Sequence, residues 1–111
     1  MLRQHNILSK KVTLAVNVTE GQILSLNGKL ANSGSGTDEP VGVALYEGKP
    51  TEIIAVMCVG LMDVPQDGTL ALGNPVKVVN GAVVKADPAT DKVFAVVSEV
   101  VSTKEVELLL K

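Results

Sequence analysis

The chain has 111 residues and a mass of 11.6 kDa, which predicts a single domain with a substantial core. That core is expected to be aliphatic, because hydrophobic residues make up 46% of the chain and aromatic residues only 2%. The net charge of −2 and the scarcity of aromatics argue against a nucleic-acid-binding protein, which normally presents a basic surface. A single cysteine excludes an internal disulfide, and no apolar stretch is long enough for a membrane helix.

The first segment, Met1–Lys11, combines basic and aliphatic side chains and lacks the apolar stretch and cleavage site of a signal peptide. It is either a frayed end or a flexible arm, residues 1–11, that contacts a neighbouring molecule. In the second case, the contact residues would be Leu2, Arg3, His5, Ile7, Leu8, Lys10 and Lys11.

Residues 12–111 are predicted to form one β domain. Apolar and polar residues alternate from Lys11 to Val18, which indicates a half-buried strand. Asn27-Gly28 and Asn80-Gly81 each follow an aliphatic run and predict tight type I′ hairpins. Ile53–Val59 and Val93–Val101 are continuous apolar runs, typical of strands buried on both faces. No segment has helical periodicity.

The sequence resembles itself at an offset of 53 residues. Residues 23–56 and 76–109 share six identities in 34 positions, including both Asn-Gly pairs and the pairs Thr37-Asp38 and Thr90-Asp91. Two readings are open. Any two hairpins rich in valine, asparagine and glycine look alike, or two similar units form one pseudo-symmetric barrel or sandwich.

The sequence offers little chemistry for catalysis. The one histidine, His5, belongs to the N-terminal segment, and the one cysteine, Cys58, lies in an apolar run and is expected to be a small buried hydrophobe. No spacing of histidine, cysteine or carboxylate suits a metal, and no glycine-rich loop suits a phosphate. We therefore expect no enzyme, no cofactor and no small-molecule substrate, and Cys58 is the only conceivable nucleophile.

Several segments together resemble the capsid cement, or head decoration, proteins of tailed bacteriophages and related prophages. The resemblance covers about Val12 to Leu110, and Val78 and Val79 replace aromatic residues that are common in that family. The segments that carry it are Val12–Val18 followed by Glu20-Gly21-Gln22, Asn27-Gly28, Glu39–Ala44, Val59–Pro65, and Gly73–Val78 leading into Asn80-Gly81.

The resemblance implies a small single-domain β-barrel or sandwich of the β-tulip type. It also implies a non-enzymatic virion protein, made in the host cytoplasm, that binds the outer capsid surface. Such a protein would bridge subunits of the major capsid protein and stabilise the expanded shell, often as a homo-trimer, with no nucleic-acid or membrane partner. A small β-barrel adaptor module of a cellular protein is the alternative.

Overall fold

The computed structural model describes residues 8–66 and 68–110, which fold into eight antiparallel β-strands, and it contains no helix in those ranges. No described segment is therefore a helix capable of spanning a membrane. The strands are β1 (Leu8–Thr13), β2 (Ile23–Leu24), β3 (Gly42–Ala44), β4 (Ile53–Pro65), β5 (Pro75–Val79), β6 (Ala82–Lys85), β7 (Ala95–Val100) and β8 (Glu105–Leu110). The all-β fold class predicted from the sequence is confirmed.

The strands form two antiparallel sheets that share β4. In sheet one, residues 53–59 of β4 pair with β1, and β3 lies between β4 and β2. In sheet two, residues 60–65 of β4 pair with β8, followed in order by β7, β5 and β6. The change of partner occurs at Gly60, whose φ of 128° is accessible mainly to glycine. Glycine therefore allows one long strand to serve both sheets.

The structure confirms the two similar units suggested by the internal resemblance. The first unit has the strand order β1, β4, β3, β2, and the second repeats it as β4, β8, β7, β5. Buried cross-strand pairs match between the units at offsets of 52 or 53 residues. Val12 opposite Ile54 corresponds to Val64 opposite Val106, and Ala44 opposite Val56 corresponds to Val97 opposite Leu108.

The interior consists of two aliphatic clusters. One is lined mainly by sheet two and includes Val64, Val76, Val97 and Leu108, and the other is lined by sheet one and includes Val56. Stiff β-branched side chains fill both clusters, and such side chains pack well on pleated surfaces. The predicted aliphatic core is confirmed, and the one phenylalanine packs against the first cluster at its margin.

The two Asn-Gly pairs form different turns. Asn80 and Gly81 have φ values of 49° and 78°, as a type I′ turn requires, so the predicted hairpin between β5 and β6 is confirmed. At the other pair only Gly28 has a positive φ, and its N–H donates to the Ser25 carbonyl oxygen at 3.1 Å. The type I′ prediction is wrong there, because Asn27 lacks the positive φ that this turn requires at both central residues.

The strand predicted over Lys11–Val18 is only partly formed. Burial alternates as expected through Val18, but β1 ends at Thr13. Leu14 N–H still donates to the Glu52 carbonyl oxygen at 2.8 Å, and the next N–H, that of Ala15, donates to the Gly28 carbonyl oxygen at 3.0 Å. At its other end β1 begins at Leu8, so the boundary placed between residues 11 and 12 falls inside a paired strand. Residues 1–7 lie outside the described residues.

The two apolar runs form strands, yet neither is buried on both faces. Ile53 is 64% exposed and Val96 is half-buried, whereas their neighbours Ile54 and Val97 are buried. Each sheet has one face on the core and one towards solvent, which explains why alternate valines remain accessible. The outer faces are consequently more apolar than the sequence prediction allowed.

Candidate contact surfaces

The described residues assemble no metal centre. Within residues 8–66 and 68–110, no group of three histidine, cysteine or carboxylate side chains could hold a metal ion. Cys58 lies in β4, and His5 lies outside the described residues. The candidate contacts lie in a cleft and on the outer faces of the two sheets.

A cleft lies where the two units meet, and residues at equivalent positions of both units line it. Val41 corresponds to Phe94 at an offset of 53, and Cys58 corresponds to Leu110 at an offset of 52. Glu39 and Lys92, also equivalent, form an ion pair of 3.7 Å at the cleft. The cleft is thus part of the contact between the units, with an aliphatic floor and a charged rim.

Cys58 lies at this cleft and is a poor nucleophile. Partial burial raises the pKa of its thiol, and the charge of Lys10 on β1 opposes that rise only in part. The thiol points to the Val56 carbonyl oxygen at 3.9 Å. Since the thiolate is the reactive form, a raised pKa makes Cys58 less reactive than a free cysteine.

We expect Cys58 to react with a thiol reagent more slowly than free cysteine at pH 8. Lys10→Gln should slow the reaction further, roughly twofold, because it removes the charge that favours the thiolate. Lys11→Gln is the matched control, since Lys11 is the next residue of β1 and its side chain lies on the other face. Absorbance-monitored thiol titration would measure the three rates, and equal rates for both variants would contradict this assignment.

The loop before β3 is held by the Glu39 carboxylate. The N–H groups of Gly36 and Gly34 donate to its two oxygens at 2.8 and 3.1 Å, and with help from Lys92 they lower the pKa of Glu39. A carboxylate whose pKa is lower in the folded state stabilises the fold above its unfolded pKa. That contribution is lost as the pH falls through the folded value.

The free energy of unfolding should consequently fall as the pH drops below about 4.5, the ordinary value for glutamate. Glu39→Gln is expected to make this decline shallower, because glutamine cannot gain a proton. Glu47→Gln, which changes an exposed carboxylate outside the loop, is the control. Urea unfolding at several pH values gives the slopes, and an unchanged slope for Glu39→Gln would refute the role of this carboxylate.

The predicted contact residues fall partly inside the described structure. Leu8, Lys10 and Lys11 belong to β1, and both lysine side chains are exposed. Lys11 lies beside Ile53 and Tyr46, which are 64% and 60% exposed. We call this patch of Lys11, Tyr46, Ile53 and Ala55 face I. The remaining predicted contacts, Leu2, Arg3, His5 and Ile7, lie outside the described residues.

The outer side of sheet two has an apolar row that crosses three strands. Leu109 on β8 lies directly opposite Leu61 on β4 and Val96 on β7. Leu61 is 55% exposed, Leu109 is 38% exposed, and Val96 is half-buried. The alternate residues of these strands, such as Met62 and Leu108, pack into the core, so the row is the solvent side of the sheet.

An acidic row lies two residues further along the same strands. Glu107 on β8 lies opposite both Asp63 on β4 and Glu99 on β7. The Ser98 hydroxyl donates to Glu107 Oε1 at 2.8 Å and orients it. The ion pairs of the described residues, Lys77–Asp91 and Lys92–Glu39, do not involve this row. Like charges directly opposite each other are unfavourable, so the row is a surface that a cationic partner would stabilise.

We call the apolar and acidic rows together face II. Sequence reasoning missed it, because the three strands are distant in the chain and their pairing is needed to bring the side chains together. The sequence did contain one signal, which is the alternation of residues along each strand. The residues on the solvent-facing side are Leu61, Asp63 and Pro65 on β4 and Glu105, Glu107 and Leu109 on β8.

These features define a small all-β protein of two antiparallel sheets, with exposed apolar and acidic rows and, in its described part, no metal-ligand cluster. Among solved structures, a similar fold is found in a crystal structure described as the N base of head fiber gp8.5 of bacteriophage phi29. The TM-score is 0.64 with 17% sequence identity, and the likeness covers 95% of this chain and 94% of that one. No protein-family model matches the sequence, and no curated protein matches it.

Proposed function

We propose that this chain is a non-enzymatic structural virion protein that binds the outer capsid surface and stabilises the expanded shell. The observation that supports this most strongly is the likeness to the base of a phage head fiber, which extends over 95% of the chain rather than over a common motif. In this proposal the partner is the major capsid protein, and the chain bridges neighbouring subunits as a trimer.

The physical properties of the domain suit such a role. A rigid β domain with an aliphatic core needs no chemistry beyond shape, and many copies on a symmetric shell add weak contacts into a large total stabilisation. The protein also has to leave contact residues accessible. Face I does so, with tyrosine and isoleucine exposed side by side, and tyrosine is a residue type that often carries binding energy in interfaces.

Two sets of residues are proposed as partner contacts. Face I is assigned to the capsid, because it is an exposed apolar patch at the strand into which the basic N-terminal segment leads. The N-terminal segment itself contributes Leu2, Arg3, His5, Ile7, Leu8, Lys10 and Lys11 to a contact with the capsid or with a neighbouring copy.

Co-sedimentation with capsids tests the proposal. The protein is expected to pellet with expanded capsids of the phage that encodes it and to remain in the supernatant with immature ones. Ile53→Asp should weaken binding at least about tenfold, because it places a charge in an apolar contact. Leu72→Asp is the matched control, since Leu72 is similarly exposed and is not part of face I.

The co-sedimentation results distinguish an error in the proposed function from an error in the assignment of face I. If the unmodified protein does not bind expanded capsids, the proposed function is wrong, and capture of a soluble cellular partner would favour an adaptor instead. If the protein binds and both variants bind equally well, the capsid contact lies outside face I.

A further inference from the structure

We propose that face II is the docking surface for the basic N-terminal segment, residues 1–11, of a second copy of this chain. Copies would then associate head to tail, each placing its segment on the next copy's sheet two. This inference rests on the proposed function, because it names the partner that such a virion protein contacts through face II. Its test is separate from the test of capsid binding.

The apolar row of face II is exposed in the described chain. Leu61 and Leu109 are 55% and 38% exposed and lie directly opposite each other, with Val96 completing the row. Isolated exposed aliphatics are ordinary, whereas a contiguous row across three strands of a small protein marks an interaction surface. We assign the cover of this row to a second copy of the chain.

Face II and the N-terminal segment carry opposite charges. Face II presents Asp63, Glu99 and Glu107 side by side without an ion pair in the described structure. The N-terminal segment has the opposite character, because Lys10 and Lys11 are exposed on β1 and no acidic residue precedes Glu20. Its aliphatic residues suit the apolar row and its basic residues suit the acidic row, so the segment matches both parts of face II.

The N-terminal segment is long enough to contact a neighbouring copy. Residues 1–7 can span up to roughly 23 Å when extended, which compares with 27 Å for the shortest dimension of the molecule. The N-terminal segment of one copy can therefore reach the surface of a second copy that is in contact with it. Since the segment and face II are different surfaces, the association is heterologous, and it closes into a ring when the rotation between copies permits.

Sedimentation equilibrium of charge variants tests this docking. Asp63→Lys should weaken self-association at least about tenfold and reduce its dependence on salt, because it reverses one of the three charges in the acidic row. Glu47→Lys is the matched control, with the same change of charge at an exposed position outside face II. Circular dichroism and thermal unfolding confirm that each variant is folded.

Reciprocal changes identify the occupant. Arg3→Glu combined with Lys10→Glu should weaken self-association as Asp63→Lys does, and adding Asp63→Lys to both should cost less than the sum of the separate losses. Deletion of residues 2–7, which leaves β1 complete, should also weaken it. Additive losses in the triple variant, or an unmodified protein that stays monomeric up to its solubility limit, would overturn the proposal.

The two proposals fail differently. A protein that self-associates with this charge dependence but never pellets with expanded capsids retains the docking and loses the capsid function. A protein that pellets with capsids while Asp63→Lys leaves self-association unchanged retains the function and loses the docking.

Discussion

Replacement of Gly28 by alanine is expected to cost roughly 4 kcal/mol of unfolding free energy, a large part of the stability of a domain of this size. A Cβ atom at this position would overlap the Thr13 carbonyl oxygen and lie 2.8 Å from Leu14 Cα. These are backbone atoms at the end of β1 and cannot rotate away. The φ of 76° adds strain of about 1–2 kcal/mol for any residue with a Cβ.

Gly73→Ala isolates the steric part of this effect. Gly73 has a φ of 83°, close to that of Gly28, and a Cβ there would meet no atom within 4 Å. Gly73→Ala should lower the free energy of unfolding by only about 1 kcal/mol, because the alanine is strained by the positive φ but overlaps no other atom. Thermal unfolding measures both variants, with Gly28→Ala expected to melt about 20 °C lower than the parent protein. Equal losses would mean that Thr13–Ala15 does not pack against the turn.

Leu108→Ala is expected to lower the free energy of unfolding by about 3 kcal/mol, since it leaves a cavity in the larger aliphatic cluster. Leu108 is fully buried and lies opposite Val97 and Met62. Substitution of the neighbouring residue, Leu109→Ala, should lower the free energy of unfolding by less than about 1 kcal/mol, because the Leu109 side chain faces solvent.

The same pair separates folding from association. Leu109 belongs to face II, so Leu109→Ala should weaken self-association while Leu108→Ala changes mainly stability. Urea unfolding and sedimentation equilibrium on both variants give the comparison. If Leu109→Ala were the more destabilising of the two, the assignment of inner and outer faces in β8 would be reversed.

Local patterns in the sequence predicted much of the fold. Asn80-Gly81 specifies its hairpin, because both residues adopt positive φ there and the flanking strands continue directly. Asn27-Gly28 has the same two residues but forms another turn. Glycine is required at position 28 because the backbone of Thr13–Ala15 lies too close for a Cβ atom. That contact is tertiary, and a local pattern does not contain it.

The extent of β4 was also beyond local reasoning. The apolar run Ile53–Val59 predicted only its first half. In the structure Gly60 allows the strand to change partners, which doubles its length and joins the two units. The internal resemblance at 53 residues was the sequence feature that came nearest to this architecture.

The contact surfaces were the least predictable feature. Lys10 and Lys11 were identified from the basic character of the N-terminal segment, and the structure describes both as exposed on β1. The partners of Leu109 on face II, Leu61 and Val96, are 48 and 13 residues away in the chain and meet only through strand register. Pairing of distant strands is a long-range property that composition and periodicity do not encode.

Electron cryomicroscopy of expanded capsids incubated with the purified protein tests whether this chain decorates the outer shell. We expect ordered density for an 11.6 kDa β domain on the outer surface of the shell, repeated at local threefold positions and bridging adjacent capsid subunits. In that density face I should lie against the shell. Capsids that remain undecorated under saturating protein, or density confined to the inner surface, would contradict it.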